Sequence, residues 1–130
     1  MERAYSIVVP TYNRRETLLR VLRGIEEQDA PGLLHEVVVV DDGSADGTAD
    51  AVRGLETPLE VELLTGRRGG PAAARNAGVE ASSGTHVLFL CDDVEPTPGL
   101  LAAHDRRHAE ASGPHVVVGR VDWPPGKDVT

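Results

Sequence analysis

The sequence has a single cysteine, Cys91, so it cannot form an internal disulfide and offers no evidence of a secreted, disulfide-bonded framework. It also has no apolar run near the roughly 18 residues that a membrane-spanning helix needs. Met1-Glu2-Arg3 leads directly into a strand-like segment rather than a signal peptide. We therefore expect a soluble, cytoplasmic chain with no membrane segment of its own.

Positive charge is scarce, since 13 Lys and Arg stand against 21 Asp and Glu, for a formal charge of −8. Sequence-independent binding to nucleic acid needs clustered cations that face phosphates, so nucleic acid is not an expected partner, and an anionic membrane surface is equally unsuitable. At 130 residues the chain is expected to be one domain, with 124–130 as a tail.

Short apolar runs alternate with segments of helical periodicity. Strands are predicted at 5–9, 36–40, 59–64, 85–90 and 116–118, and helices at 13–25, around 49–55, at 71–81 and at 98–111. Such alternation is typical of an α/β fold, with a mainly parallel sheet and helices on both faces.

Two acidic pairs follow two of the predicted strands. Asp41-Asp42 comes after the run 37–40, and Asp92-Asp93 comes after the run 87–90, and both runs are expected to be buried. In an open α/β sheet, ligands bind outside the carboxyl ends of the strands, so the two pairs can converge on one crevice. Carboxylates at this position suggest a metal, a sugar or a contact with the edge of a base.

Either pair could instead be structural, because Asp, Gly and Ser are ordinary turn residues and Asp can cap a strand end. The segment Pro10-Thr11-Tyr12-Asn13 favours a binding role, since it ends a neighbouring strand and a base could stack on Tyr12. Hard Mg²⁺ or Mn²⁺ takes oxygen ligands from one or two carboxylates plus phosphate, so Asp92-Asp93 is chemically sufficient on the protein side.

A charged, glycine-rich loop precedes the third predicted helix. The candidate anion cradle there combines three arginines with two backbone N–H groups: Arg67, Arg68, Gly69, Gly70 and Arg75. A solvated basic loop is the alternative. Asn76 interrupts a small, apolar helix face, and we expect it to face the crevice.

Other polar residues have structural interpretations. His104 and His108 lie four apart on a predicted helix, a zinc-like spacing, but no third ligand completes the pattern. Cys91 is interpreted as a small apolar filler. Trp123 could line an acceptor site or anchor the tail, and whether the chain forms a homo-oligomer stays open.

Four of these motifs, in this order, resemble the family 2 inverting glycosyltransferases of the GT-A fold. They are SIVVPTYN at 6–13, VVVDDGSADGT at 38–48, GGPAAARNAG at 69–78 and FLCDD at 89–93. The resemblance extends from Ser6 to about Trp123. It implies a Rossmann-like nucleotide-sugar-binding part with a metal-dependent donor site.

The resemblance also implies roles for individual residues. Pro10 and Tyr12 would flank the nucleobase, and Asp42 would accept a hydrogen bond from it. Asp93 would be a metal ligand, with Mn²⁺ or Mg²⁺ as cofactor, and Asp92 would be a second ligand or would contact the ribose or sugar. The full nucleotide-sugar site is expected to comprise Pro10, Tyr12, Asn13, Asp42, Gly70, Arg75, Asn76 and Asp92.

The chain departs from the family pattern in two places. The DXD-like acidic motif of the family corresponds to Cys91-Asp92-Asp93, and Cys91 stands where many members have an acidic residue. The division of roles between Asp92 and Asp93 is therefore open. Members also continue into a segment that binds the acceptor and carries the general base, whereas this chain stops at Thr130. We therefore expect a fold that is incomplete at its C-terminus and a base beyond Thr130, because spacing places neither Asp122 nor His104 opposite the sugar.

The leading hypothesis is a metal-dependent enzyme that transfers a sugar, with inversion, from a nucleoside diphosphate sugar to an acceptor hydroxyl of a glycan, lipid or small molecule. A UDP-sugar is the favoured donor. The alternative is a non-catalytic nucleotide-sugar-binding module, or a donor half without its base. A dinucleotide-dependent dehydrogenase would need G-x-G-x-x-G after the first strand, and a receiver domain would need an acidic pair there, but this chain has Pro10-Thr11.

Overall fold

The computed structural model describes residues 2–66 and 68–122 of the chain. Strands and helices alternate along it, with a short 3₁₀ turn at Pro31–Leu33. The elements are β1 (Tyr5–Thr11), α1 (Arg15–Glu26), β2 (Leu34–Asp41), α2 (Thr48–Arg53), β3 (Val61–Thr65), α3 (Pro71–Ala81), β4 (His86–Phe89) and α4 (Leu100–Glu110).

The four strands form one parallel sheet in the order β3-β2-β1-β4. The central strand β1 pairs with β2 as far as Thr11↔Asp41, whereas its pairing with β4 ends at Val8↔Phe89. Because the strands are parallel, their carboxyl ends share one edge of the sheet, which is the edge where the sequence predicts a binding site. The predicted α/β fold is confirmed.

Pro10 lies inside the central strand, although proline cannot donate a hydrogen bond to a sheet. The Val8 carbonyl accepts a bond from the Leu90 N–H at 3.0 Å, and the Thr11 carbonyl accepts one from the Asp42 N–H at 3.0 Å. Backbone groups of even-numbered β1 residues therefore point toward β4. Since pairing with β4 ends at Val8, Pro10 comes just after it and no ladder bond is lost.

Helices cover both faces of the sheet, as predicted. One apolar cluster joins α1, α2 and α4 to β1 and β2, and a second joins α3 to the opposite face through Val8, Val38, Val40 and Ala74. In α1 the buried residues recur at helical spacing: Leu18, Val21, Leu22 and Ile25. Within the described ranges, no helix is both long and apolar enough to cross a membrane.

Helix α3 packs very closely on the sheet at Gly78. A Cβ atom added there would lie 2.3 Å from Cγ1 of Val8 and 3.3 Å from Cγ2 of Val40. Both distances are shorter than an ordinary carbon contact, so only glycine fits while the helix keeps its position. This close approach sets the distance between α3 and the strands β1 and β2.

Two strand predictions need correction. The run 87–90 is not fully buried, since Val87 and Phe89 are 37% and 47% exposed. Strand β4 lies at the edge of the sheet, whereas α3 packs on β1 and β2, so α3 does not cover these two side chains. The predicted strand at 116–118 does not form, and Val116 and Val118 are 85% and 88% exposed. Strand propensity is expressed only where a neighbouring strand and a packed face are present. Trp123 and the tail lie outside the described residues.

Candidate functional site

A cavity of about 300 Å³ opens at the carboxyl edge of the sheet. Its walls are formed by the ends of β1 and β2, by the loop that precedes α3 together with the first turns of α3, and by the segment after β4. The lining residues are Pro10, Thr11, Tyr12, Arg14, Asp42, Arg68, Pro71, Ala74, Arg75, Cys91, Asp92 and Asp93. Three carboxylates and three guanidinium groups therefore share one cavity.

Asp42 holds the glycine-rich loop against the end of β2. Its Oδ1 accepts a hydrogen bond from the Gly69 N–H at 2.8 Å, and its Oδ2 accepts one from the Gly70 N–H at 3.0 Å. Gly70 has a φ of 92°, a conformation that favours glycine, and α3 begins at the next residue. These two N–H groups were expected to cradle an anion, but they already bind a carboxylate, so that part of the prediction is wrong.

Tyr12 is covered on one ring face by Arg68. The guanidinium carbon lies 4.0 Å from the ring centroid, which is a cation–π contact. A base that stacks on Tyr12 must therefore use the other face or replace Arg68. Arg67, the third arginine of the predicted cradle, lies outside the described residues.

The acidic pair after β4 is held by two residues from the end of β1. Thr11 Oγ1 donates a 2.9 Å hydrogen bond to Asp92 Oδ2. Arg14 Nη1 lies 2.7 Å from Asp93 Oδ2 and 3.8 Å from Asp92 Oδ1. The hydrogen bond to Asp93, together with the charges of both carboxylates, raises the pKa of Arg14. The Asp92 side chain is only 14% exposed, whereas that of Asp93 is 49% exposed.

Arg14, like Thr11, was not among the site residues predicted from the sequence. It directly precedes α1, and its side chain reaches across the sheet edge to carboxylates about 80 residues further along the chain. The available signal was its position just after the Pro10-Thr11-Tyr12-Asn13 segment. A side chain that follows the carboxyl end of a central parallel strand can reach the crevice.

Six of the predicted site residues line the cavity together: Pro10, Tyr12, Asp42, Arg75, Asp92 and Asp93. Asn13 does not line it and does not cap α1, because its N–H donates to Ser44 Oγ at 2.8 Å and its Oδ1 accepts from the Ala45 N–H at 2.7 Å. Asn13 has a φ of 50°, and its hydrogen bonds connect the loop after β1 to the loop after β2. Asn13 therefore supports the site from outside the cavity.

The remaining predictions at this edge are mixed. Asn76 is exposed on α3 and does not line the cavity, so the expectation that it faces the crevice is wrong. Gly70 contributes through its bond to Asp42. Cys91 is exposed and lines the cavity, so its interpretation as a small apolar filler is also wrong. It follows β4 by two residues, at a point where the sheet no longer encloses a side chain.

Neither of the two candidate general bases lines the cavity. His104 is buried on α4, where burial lowers its pKa, and Asp122 is exposed and bonds to Arg120 at 2.7 Å. Across residues 2–66 and 68–122 there is no group of three His, Cys, Asp or Glu arranged to hold a metal ion.

Asp92 and Asp93 nevertheless fit Mg²⁺ or Mn²⁺ by their donor chemistry. These cations accept one or two carboxylates and complete their coordination with phosphate oxygens and water, so three protein ligands are not required. Asp92 is oriented by Thr11, and Asp93 is open to solvent. The pair can offer oxygen ligands at the wall of the cavity.

The chain is similar to known glycosyltransferases. It is 39% identical over 94 residues to glycosyltransferase AglE of Haloferax volcanii, covering 70% of this chain and 31% of AglE. The structure of the mannosyltransferase PcManGT from Pyrobaculum calidifontis, in complex with GDP-Man and Mn²⁺, superposes with a TM-score of 0.77 at 34% identity, over 85% of this chain and 33% of that one.

TarS of Staphylococcus aureus, in complex with UDP-GlcNAc, superposes with a TM-score of 0.72 at 32% identity, over 82% of this chain and 32% of that one. The chain thus spans about a third of the length of AglE and of these two solved structures, and the TarS structure itself comprises residues 1–349. Their architecture agrees with the GT-A-like parallel sheet described above. The sequence model of the family described as glycosyl transferase family 2 matches residues 6–130. With nearly its whole length covered by that match, the chain belongs to glycosyl transferase family 2.

Proposed function

We propose that this chain is the part of a glycosyltransferase that binds the nucleoside diphosphate sugar, and that the cavity at the carboxyl edge of the sheet is the donor site. The observation that carries the proposal is that Tyr12, Asp42 and Arg75 line one cavity together with Asp92 and Asp93. An aromatic face, cations and an acidic pair are what a base, a diphosphate and a divalent cation require.

The nucleobase would lie between Pro10 and the free face of Tyr12. Asp42 would accept a hydrogen bond from a ring N–H, because a carboxylate has about four lone-pair sites and only two are used by the Gly69 and Gly70 N–H groups. We favour uridine as the base. GDP is the natural comparison, since TarS is bound to UDP-GlcNAc and PcManGT to GDP-Man.

The diphosphate would lie between the arginines and the acidic pair. Arg75 and Arg68 supply positive charge, whereas a phosphate beside Asp92 and Asp93 is repelled by about 4 kcal/mol per pair of charges at 4 Å and an effective dielectric near 20. Asp93 and Asp92 would hold Mn²⁺ or Mg²⁺ there. A bound divalent cation would reverse the repulsion and neutralise the departing diphosphate. Asp92 is already oriented for this by Thr11.

The complete reaction would be a single displacement with inversion. The acceptor oxygen forms a bond to the anomeric carbon as the bond to the diphosphate breaks, and a base takes the proton of the acceptor hydroxyl. Since His104 and Asp122 are both away from the cavity, we assign the base to neither. If the chain is instead a non-catalytic binding module, it will bind the donor without turnover.

The test is isothermal titration calorimetry of UDP, and separately of GDP, into this chain with Mn²⁺ and then with a chelator. We expect UDP to bind with Mn²⁺, and the affinity to fall at least about tenfold, or ~1.4 kcal/mol, with chelator or in Asp93→Asn. The matched control is Asp50→Asn, which removes the same charge from a side chain that is 90% exposed on α2.

Equal binding by Asp93→Asn and Asp50→Asn would contradict the assigned role of Asp93. Binding of GDP in preference to UDP would overturn the choice of base but keep the donor site. Absence of binding by either nucleotide, in a sample with a cooperative unfolding transition, would contradict the donor site itself.

A further inference from the structure

We propose that Arg14 is a resident counter-cation of the acidic pair, which holds Asp92 and Asp93 until a divalent cation displaces it, and thereby makes cation binding depend on the nucleotide. The part that concerns the nucleotide rests on the donor site proposed above. The part that concerns the carboxylates rests on ion pairs seen in the structure.

One nitrogen atom of Arg14 faces both carboxylates. Nη1 lies 2.7 Å from Asp93 Oδ2 and 3.8 Å from Asp92 Oδ1, and Thr11 occupies the other oxygen of Asp92. A cation that takes both carboxylates as ligands must therefore compete with this guanidinium group. Two neighbouring carboxylates repel each other, and the positive charge of Arg14 beside both of them relieves that repulsion.

The Arg14 side chain can leave without disturbing the fold. Its backbone carbonyl accepts bonds from the Leu18 N–H at 2.9 Å and from Thr17 Oγ1 at 3.2 Å, which fix it at the start of α1. The side chain is 51% exposed and lines the cavity. Backbone and guanidinium are thus separately held, the first by the helix and the second by the carboxylates.

The diphosphate offers Arg14 a second partner in the same cavity. When a divalent cation binds without nucleotide, the displaced guanidinium exchanges a carboxylate for water. When the diphosphate is present, the displaced guanidinium group can bind phosphate oxygens instead of water, in the charge-assisted geometry that arginine favours. Cation and nucleotide then favour each other's binding, and by linkage the effect is the same in both directions.

The experiment measures Mn²⁺ binding by electron paramagnetic resonance, with and without UDP, in the unaltered chain, in Arg14→Gln and in Arg15→Gln. Arg15 is the matched control, because the same charge is removed one residue away and its side chain pairs with Glu16 rather than with the acidic pair. We expect Arg14→Gln to bind Mn²⁺ alone about fivefold more tightly or better, and the enhancement by UDP to shrink by a similar factor. Arg15→Gln should behave as the unaltered chain does.

Three results would overturn the role of Arg14. They are an Mn²⁺ affinity in Arg14→Gln that is unchanged or weaker, the same gain in Arg15→Gln, and absence of Mn²⁺ binding by all three chains. Failure of the donor site is separate: UDP would then leave Mn²⁺ affinity unchanged in the unaltered chain, while the comparison without UDP still decides whether Arg14 competes with the cation. Unfolding curves of the three chains check that each is folded.

Discussion

Thr11 Oγ1 donates a 2.9 Å hydrogen bond to Asp92 Oδ2, and this bond joins residues 81 positions apart at the carboxyl edge of the sheet. The pairing of β1 with β4 ends at Val8↔Phe89, three residues before either partner. Beyond that point the acidic segment is positioned by side chains rather than by the sheet. The orientation of Asp92 therefore depends on a buried hydroxyl, since Thr11 is 3% exposed.

Thr11→Val should weaken the donor site while keeping the shape of the side chain. Removal of the hydroxyl leaves Asp92 Oδ2 without its donor, which costs about 1 kcal/mol of unfolding free energy. We expect the Mn²⁺-dependent affinity for UDP to fall about fivefold, which corresponds to ~1 kcal/mol. Calorimetry and urea unfolding measure the two effects. Thr11→Ser retains the hydroxyl and should recover most of the affinity, and equal losses in both variants would contradict this role.

Asp42→Ala should release the loop that precedes α3. It removes the acceptors of the Gly69 and Gly70 N–H groups, so these two amides should exchange with solvent much faster. We expect a loss of about 1 kcal/mol in unfolding free energy and a loss of nucleotide affinity. Hydrogen exchange followed by NMR is the measurement. Unchanged exchange at Gly69 and Gly70, compared with the Asp50→Asn control, would show that the loop is held by something else.

Gly78→Ala should destabilise the fold far more than the same change at an exposed loop glycine. The new methyl group would meet Val8 Cγ1 at 2.3 Å, and α3 would have to move away from the sheet. Overpacking of this kind costs roughly 1–3 kcal/mol. Urea unfolding compares it with Gly66→Ala, where the added Cβ meets nothing within 4 Å. Similar midpoints for the two variants would contradict the tight packing of α3.

Three histidine rings lie together near the amino ends of β1 and β4. The ring centroids are 4.7 Å apart for His86 and His108, and 4.9 Å apart for His108 and His115. His115 Nδ1 donates to the Gly113 carbonyl at 2.8 Å, so in neutral His115 the Nε2 atom accepts from His108 Nδ1, also at 2.8 Å. Protonation of both rings would bring two N–H donors face to face.

Acidification should therefore destabilise the protein before its carboxylates titrate. The pKa of His108 lies below its ordinary value of 6.5 because of burial and of four nearby cationic or titratable groups: His86, His115, His104 and Arg3. The folded state thus favours neutral His108, so stability is complete above the ordinary pKa and is lost as pH falls through it. Asp105, which pairs with Arg3 and faces His108, moderates the effect without reversing its sign.

Urea unfolding at about pH 7.5 and about pH 5.5 measures this dependence. The free energy of unfolding should be lower at the acidic pH than at the neutral pH, and this decrease should be smaller in His108→Gln. His35→Gln is the control, because His35 bonds to Ser83 Oγ outside the three-ring group. An identical pH dependence in the unaltered chain and in His108→Gln would contradict the prediction.

The sequence was sufficient to predict the sheet and the helices that cover it. The run 37–40 is buried on both sides, as its four valines indicate, and α1 follows the spacing of Leu18, Val21, Leu22 and Ile25. Since parallel strands share one carboxyl edge, the ends of the first, second and fourth strands also predicted where the cavity lies. Tyr12, Asp42 and Asp92 meet there.

The contacts inside the cavity could not be predicted in the same way. The role of Arg14 depends on a partner 79 residues away, and local spacing carries no information about that pair. The Gly69 and Gly70 N–H groups were available either to an anion or to Asp42, and only the path of the loop decides between them. The valines at 116–118 have strand propensity, but propensity does not provide a neighbouring strand.

The strand order also determines when the binding cavity can form during synthesis. Strand β1 leaves the ribosome first and can pair with β2 once residue 41 has emerged, but its other neighbour ends at Phe89. Contacts of such long sequence separation form late, because a long loop must be closed before they contribute. Asp92 and Asp93 follow Phe89 in the chain, so the nascent chain can pair β1 with β2 and pack α1 and α3 on the sheet while it still lacks the acidic wall of its binding cavity.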